Sequence, residues 1–179
     1  EKVLEESKDY TLSYSEYTTN VGTVTVTVTG KGNYSGTKEV KYQITPRQVK
    51  LTSEGGTKPY DGTALTKPAV TVSGDGFVEG EVSDIKATGS VTTVSEGEVT
   101  NTITFTKGKN YKDANYEIER VEGKLSITAK AVTDKDMTVT APADVKYSGK
   151  SQQQKPVVKD GEKVLEESKD YTLSYSEYT

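Results

Sequence analysis

Residues 23–29 read TVTVTVT, closed at both ends by Gly22 and Gly30. Strict alternation sends Val24, Val26 and Val28 to one face and the threonines to the other. That is the pattern of a strand with one buried face and one wet face. A second run, VTNTITFT at 99–106, repeats the pattern: Val99, Asn101, Ile103 and Phe105 share one face opposite four threonines. On either side of these runs, further strands are predicted at 10–14, 39–45, 49–53, 69–73, 116–121, 124–128, 137–141 and 154–159. Turn signals separate them at short intervals, among them Asp61-Gly62, Gly74-Asp75-Gly76, Asp160-Gly161 and Gly30-Lys31-Gly32. Residues 162–169 are helix-friendly in composition, but the stretch is short, uncapped and falls at a strand–turn junction. The chain holds 27 Thr and 21 Val among 179 residues, both strand-favouring types. The expected class is all-β: small β-sandwich or β-grasp-like modules, with under about 10% helix.

The sequence is also repetitive. Residues 162–179, EKVLEESKDYTLSYSEYT, are identical to residues 1–18, so Glu1 recurs as Glu162 with a period of 161 residues. Chance does not produce such an identity, and it implies a tandem array. A weaker repeat lies inside the period. KPYDGTALTKP at 58–68 resembles VKYSGKSQQQKP at 145–156, GKNY at 108–111 echoes GKGNY at 30–34, and LSIT at 125–128 echoes YQIT at 42–45. Two diverged modules therefore alternate. Residues 1–45 are the C-terminal part of module A, 46–129 are a complete module B, and 130–179 are the N-terminal part of the next module A. Pro46 stiffens one junction and Ala129-Lys130-Ala131 forms the other, with no flexible linker at either. Such modules are expected to form a stiff, elongated array in which adjacent repeats support one another. A module of about 80 residues without disulfides is near the lower size limit for a lone core.

Read in array order, residues 145–179 run into 19–44. The joined stretch carries Tyr-x-Gly, a Pro, DYT-x-x-Y, NVGT, GxGNYxGT and a closing aromatic-x-Ile. It resembles a tandem repeat of Gram-positive bacterial surface proteins. Module B, with KPYDGT, NYEI and GKLSI, resembles the related MBG/YDG-type repeats. The resemblance implies small all-β modules in the stalks of adhesins or wall-bound proteins, located outside the cell at its surface, and it implies no catalytic residues. A chain opening on Glu1 rather than Met is expected to be a piece of a longer protein.

Composition narrows the chemistry. There is no Cys, His or Trp, so disulfides, thiolate metal sites, thiol catalysis and histidine general bases are excluded. A net charge of −4 gives no basic footprint for nucleic acid. No apolar run of about 18 residues is present, so no membrane-spanning helix is expected in this segment. No nucleophile elbow, P-loop or dinucleotide fingerprint occurs. The acids sit in solvated stretches such as Glu5-Glu6 and 96–98, and no enzyme activity is expected. Asp134, Asp136, Asp144 and Asp160 are hard oxygen donors, but their spacing lacks the EF-hand glycine and terminal glutamate; no metal or cofactor is assigned. Asn101, on an apolar-facing position, is expected to be a hydrogen-bonded buried amide rather than a partner in a Lys–Asn crosslink.

Ligand binding is the one open site chemistry. Tyr10, Tyr14 and Tyr17, repeated as Tyr171, Tyr175 and Tyr178, combine flat apolar rings with polar tips suited to a glycan or a host protein. Tyr10 and Tyr14 share a strand face and Tyr17 has the opposite parity. Tyr60 with Tyr147, and Tyr34 with Tyr111, occupy matching positions in the two modules and read as packing residues. Module A is cut at both ends, with the whole of module B between its parts. Head-to-tail completion between chains, or continuity in a longer array, is therefore expected. Residues 1–18 and 162–179 should then adopt one fold.

Overall fold

The computed structural model describes residues 3–16 and 18–176. It is all-β. Its helical content among the described residues is two single 3-10 turns, Val94–Glu96 and Asp113–Asn115. Among the described residues, no helix is long and apolar enough to cross a membrane. The chain divides into two compact units, Glu1–Lys58 with Gly62–Thr128 and Pro59–Asp61 with Ala129–Thr179.

In the first unit, β1 (Tyr10–Tyr14), β2 (Gly22–Gly30) and β3 (Thr37–Ile44) form an antiparallel meander in that order. The TVTVTVT run is its central strand. Leu12, Val28 and Lys38 stand opposite one another across it, as do Tyr14, Val26 and Val40. Opposed residues of antiparallel strands share a face, so this is one apolar face. The parity expected from the sequence shows at one end, with Val24 fully buried and Thr23 exposed, while Thr25 and Thr27 are half-buried. Val26 and Val28, however, are only half-buried, while Val40 and Tyr42 are exposed.

Two residues later the chain continues with β4 (Arg47–Ser53), β5 (Gly56–Pro59), β6 (Leu65–Thr66), β7 (Val70–Gly74), β8 (Val82–Ala87), β9 (Ser90–Val91), β10 (Val99–Thr100), β11 (Ile103–Lys107), β12 (Tyr116–Val121) and β13 (Lys124–Thr128). β4 lies between β12, a parallel neighbour, and β7, an antiparallel one. β13 lies between β10 and β5; β8 pairs with β11, and β6 with β9. Val49, Leu51, Ile103 and Tyr116 form the buried core. The Pro46 junction is fastened by side chains: Asn115 Oδ1 accepts from Val21 N at 3.0 Å, and Asn115 Nδ2 donates to Asn20 Oδ1 at 3.1 Å.

The continuous strand expected at 99–106 is a correction. It breaks at Asn101 and Thr102, and its halves join different sheets, β10 with β13 and β11 with β8. A strand that changes sheets must give up its ladder at the corner. Here Asn101 N donates to Gly123 O at 2.8 Å, and Ile103 N finds the Glu122 carboxylate at 2.8 Å. The short strands β5, β6 and β9 carry too few alternating residues to register in the sequence.

The second unit holds β14 (Met137–Thr140), β15 (Val157–Asp160) and β16 (Lys163–Val164), antiparallel in that order. The helix-friendly stretch after Gly161 is strand and turn.

Candidate functional site

The candidate tyrosines rest on the duplicated segment, whose two copies agree in one part and part company in another. In the first copy Glu5 N donates to Asp9 Oδ2 at 3.0 Å, and Ser7 N donates to Tyr10 O at 2.7 Å. In the second, Glu166 N donates to Asp170 Oδ2 at 2.9 Å, and Ser168 N to Tyr171 O at 2.8 Å. Ser7 and Ser168 both hold left-handed backbone, at φ 69° and 70°. Isolated parallel bridges, Glu6 with Tyr10 and Glu167 with Tyr171, repeat as well. The sequence EESKDY thus dictates one turn in two settings, built on an aspartate that accepts from the backbone.

Beyond the turn the expected equivalence fails. Residues 10–14 are β1, paired with β2, whereas 172–176 form no strand. A strand needs a partner for its backbone groups, and GTVTVTVTG occurs once in the sequence, at 22–30, where β1 already holds it. Upstream of the second turn, Lys163–Val164 pairs with β15.

Tyr10 and Tyr14 share the apolar face of the meander, as their spacing predicts, Tyr10 half-buried and Tyr14 exposed. Beside Tyr10 is a groove of about 280 Å³ lined by Leu4, Val28 and Tyr34 among others. Tyr171 is half-buried, and the exposed Tyr175 donates its hydroxyl hydrogen to Gln154 O at 3.2 Å. Tyr17 and Tyr178 lie outside the described residues. The two copies therefore present their tyrosines in different settings.

Asn101 is fully buried, and its side chain is engaged by three backbone groups. Oδ1 accepts from Gly89 N at 2.9 Å, and Nδ2 donates to Glu54 O at 3.0 Å and Lys67 O at 2.8 Å. Ser53 Oγ donates to Asn101 O at 2.6 Å. The chain packs so closely here that a Cβ on Gly89 would lie 2.6 Å from Asn101 Cα, and one on Gly123 2.3 Å from Glu54 C. This is the ordinary buried amide that the sequence favours.

Sequence reasoning missed the aromatic cluster that packs against the Val49–Leu51–Ile103 core. Tyr111 and Tyr116 stack at 5.1 Å, and Phe77 tilts against Tyr116 at 5.1 Å and against Phe105 at 5.4 Å. The Tyr116 hydroxyl donates to Glu81 Oε2 at 2.6 Å and accepts from Val78 N at 3.1 Å. Burial pushes the Tyr116 phenol up, and the bond to Glu81 adds to the rise; burial likewise raises Tyr111. Both are neutral in the fold where the unfolded phenol would ionise near 10. Their stabilisation is therefore intact below that pH and drains away as pH rises through the folded values. The phenols' contribution to the urea midpoint should stay level between about pH 7 and pH 9 and then fall. Tyr116→Phe should have a shallower alkaline fall. Equal slopes in the two proteins would contradict this assignment.

Two of the acids considered as hard ligands, Asp136 and Asp160, approach the Lys130 ammonium instead. Lys130 Nζ lies 2.6 Å from Asp160 Oδ1 and 4.0 Å from Asp136 Oδ2. The hydrogen bond to Asp160 holds the Lys130 ammonium above its ordinary value. Asp134 Oδ1 accepts from Asp136 N at 3.0 Å. On the β12–β4 face, Lys50 pairs with Glu119 at 2.8 Å and Gln48 Nε2 with Glu117 at 2.6 Å, closing a shallow exposed depression of about 320 Å³.

No family model, no curated protein and no solved structure matches this chain.

Proposed function

We propose that the chain is a segment of a non-catalytic structural stalk in a bacterial cell-surface adhesin or wall-anchored protein. In this reading it lies outside the cell and holds a distal domain away from the wall. The observation that carries the reading is the 161-residue period, with a turn that takes one conformation in both copies. A spacer must repeat one geometry reliably, and a turn fixed by its own six residues does so. The junction supports the same reading. Only two residues separate β3 from β4, and Asn115 ties the opening part of module A to module B, leaving little slack for bending. Small-angle scattering on proteins of two, three and four periods tests it. The radius of gyration should rise nearly linearly with period number, whereas a compact series would end the spacer reading.

A second reading, a multivalent carbohydrate- or host-protein-binding module, draws on the groove beside Tyr10 and Tyr34. It requires that face to stay open.

A further inference from the structure

We infer that Asn115 locks the β1–β2–β3 meander to the sheets that follow it, by closing a ring of contacts that leaves the Pro46 junction no free hinge. The inference deepens the spacer reading and rests on it only for what such stiffness would serve. Every residue of the ring lies in one compact unit, Glu1–Lys58 with Gly62–Thr128.

The ring is read from the strand registers. At the near end of the meander, Gly22 of β2 pairs with Ile44 of β3. From Ile44 the chain runs through Thr45 and Pro46 to Arg47, where β4 begins. Arg47 pairs with Tyr116, the first residue of the parallel strand β12. Asn115 precedes Tyr116, and its Oδ1 accepts from Val21 N at 3.0 Å. Val21 precedes Gly22, which closes the circuit. Asn115 Nδ2 donates to Asn20 Oδ1 at 3.1 Å, a second bond across the same gap. Every other link is made by backbone, through peptide bonds or strand ladders.

Two attachments do what one cannot. Segments joined by a single short connection move relative to one another unless a large apolar interface holds them. Pro46 fixes its own φ, yet Thr45 beside it keeps rotatable bonds. A second tie at a neighbouring point turns that swivel into a fixed joint. Because the peptide link already holds the two sides together, the tie forms at high effective concentration and costs little further ordering.

The aim of Asn115 is fixed from both sides. The residue ends the 3-10 turn Asp113–Asn115, where Asn115 N donates to Lys112 O at 3.0 Å. Upstream, Asp113 Oδ1 lies 2.6 Å from Lys107 Nζ, and that ammonium sits 4.9 Å from the centre of the Tyr111 ring. Downstream, Tyr116 is buried, stacked on Tyr111, with its hydroxyl held by Glu81 and Val78 N. The amide therefore meets the meander already oriented. Asn20, Val21 and Asn115 are all half-buried, so water competes for these bonds less than at an exposed turn. A side-chain amide also accepts from a backbone N–H and donates to a second amide at once. Alanine would leave Val21 N without this partner, whereas a carboxylate keeps the acceptor.

Spin-label distances on the whole chain test the lock. The sequence has no Cys, so Thr37→Cys on β3 and Lys86→Cys on β8, both at exposed positions, take the labels. The unmodified junction should give one narrow distance distribution. Asn115→Ala should broaden it at least about twofold, as befits segments on a single link, with the strand signal in circular dichroism kept. Asn115→Asp should stay close to the narrow form. Tyr116→Phe removes the hydroxyl's bonds and leaves the ring intact, so it should lower the urea midpoint without broadening the distances. Amide exchange supplies a readout that needs no variant: Val21 N–H should exchange at least about tenfold more slowly than an unstructured amide. A broad distribution in the unmodified junction, a narrow one in Asn115→Ala, or an unprotected Val21 amide overturns the inference. So does broadening by Tyr116→Phe equal to that by Asn115→Ala, which would trace the effect to lost stability. A compact scattering series beside a narrow distribution strikes the spacer reading and leaves the lock standing.

Discussion

Asn101→Leu is expected to destabilise module B by about 3–5 kcal/mol, among the largest losses a single substitution gives. Leucine nearly preserves volume but makes none of the amide's hydrogen bonds. Gly89 N, Glu54 O and Lys67 O would each lose their partner, and each buried orphan costs on the order of 1–3 kcal/mol. Water cannot easily take the amide's place, because Gly89 and Gly123 bring backbone against backbone around it. Asn101→Asp should not rescue, since it keeps the acceptor for Gly89 but loses both donated bonds and buries a charge. Asn110→Ala, at an exposed turn position, serves as the reference and should change stability by under about 0.5 kcal/mol. Urea unfolding followed by circular dichroism reads all three. A loss below about 1 kcal/mol for Asn101→Leu would mean that the corner where the strand changes sheets is held by something else.

The same corner shows where sequence reading succeeds and where it stops. Alternation identified β2 within one residue at each end and found β1, β12 and β13 at their observed limits, because a period of two records burial on one face directly. Asn101 was legible as an apolar-facing position. The break beside it was not, because threonine alternation continues through 100–106 regardless of which sheet receives each half. Partner choice is a long-range property: β10 pairs with a strand 25 residues on, and β11 with one that precedes it. The aromatic cluster was hidden for the same reason, since Phe77, Phe105, Tyr111 and Tyr116 come from separate segments. The turn at 5–9 lies at the other extreme. Its stabilising bonds are local, and an identical six-residue sequence folds identically in both copies.

That contrast bears on the tyrosines. Their positions in the duplicated segment are identical, yet Tyr14 sits on a paired strand while Tyr175 reaches back to Gln154. The conformation downstream of the turn is set by the strands available to pair with it, so a binding face repeated once per period requires completed modules.

Val24→Asp should unfold the β1–β2–β3 meander, at a cost of about 4 kcal/mol or more. Val24 is fully buried on the central strand, opposite Tyr42. A carboxylate there has no cation partner among the residues aligned with it, and burying an unpaired charge is among the costliest changes a core can suffer. The strand has no spare stability with which to absorb it, since most of its apolar face is only partly covered. Thr23→Asp, one residue away, is the matched control. Thr23 is exposed, and its Oγ1 accepts from Gln43 Nε2 at 2.7 Å; an aspartate can accept the same bond, so the change should stay within about 0.5 kcal/mol. Val26→Asp should fall between the two, because Val26 is half-buried. Thermal unfolding by circular dichroism ranks the three. Equal losses for Val24→Asp and Thr23→Asp would mean that the faces of the TVTVTVT strand have been assigned the wrong way round.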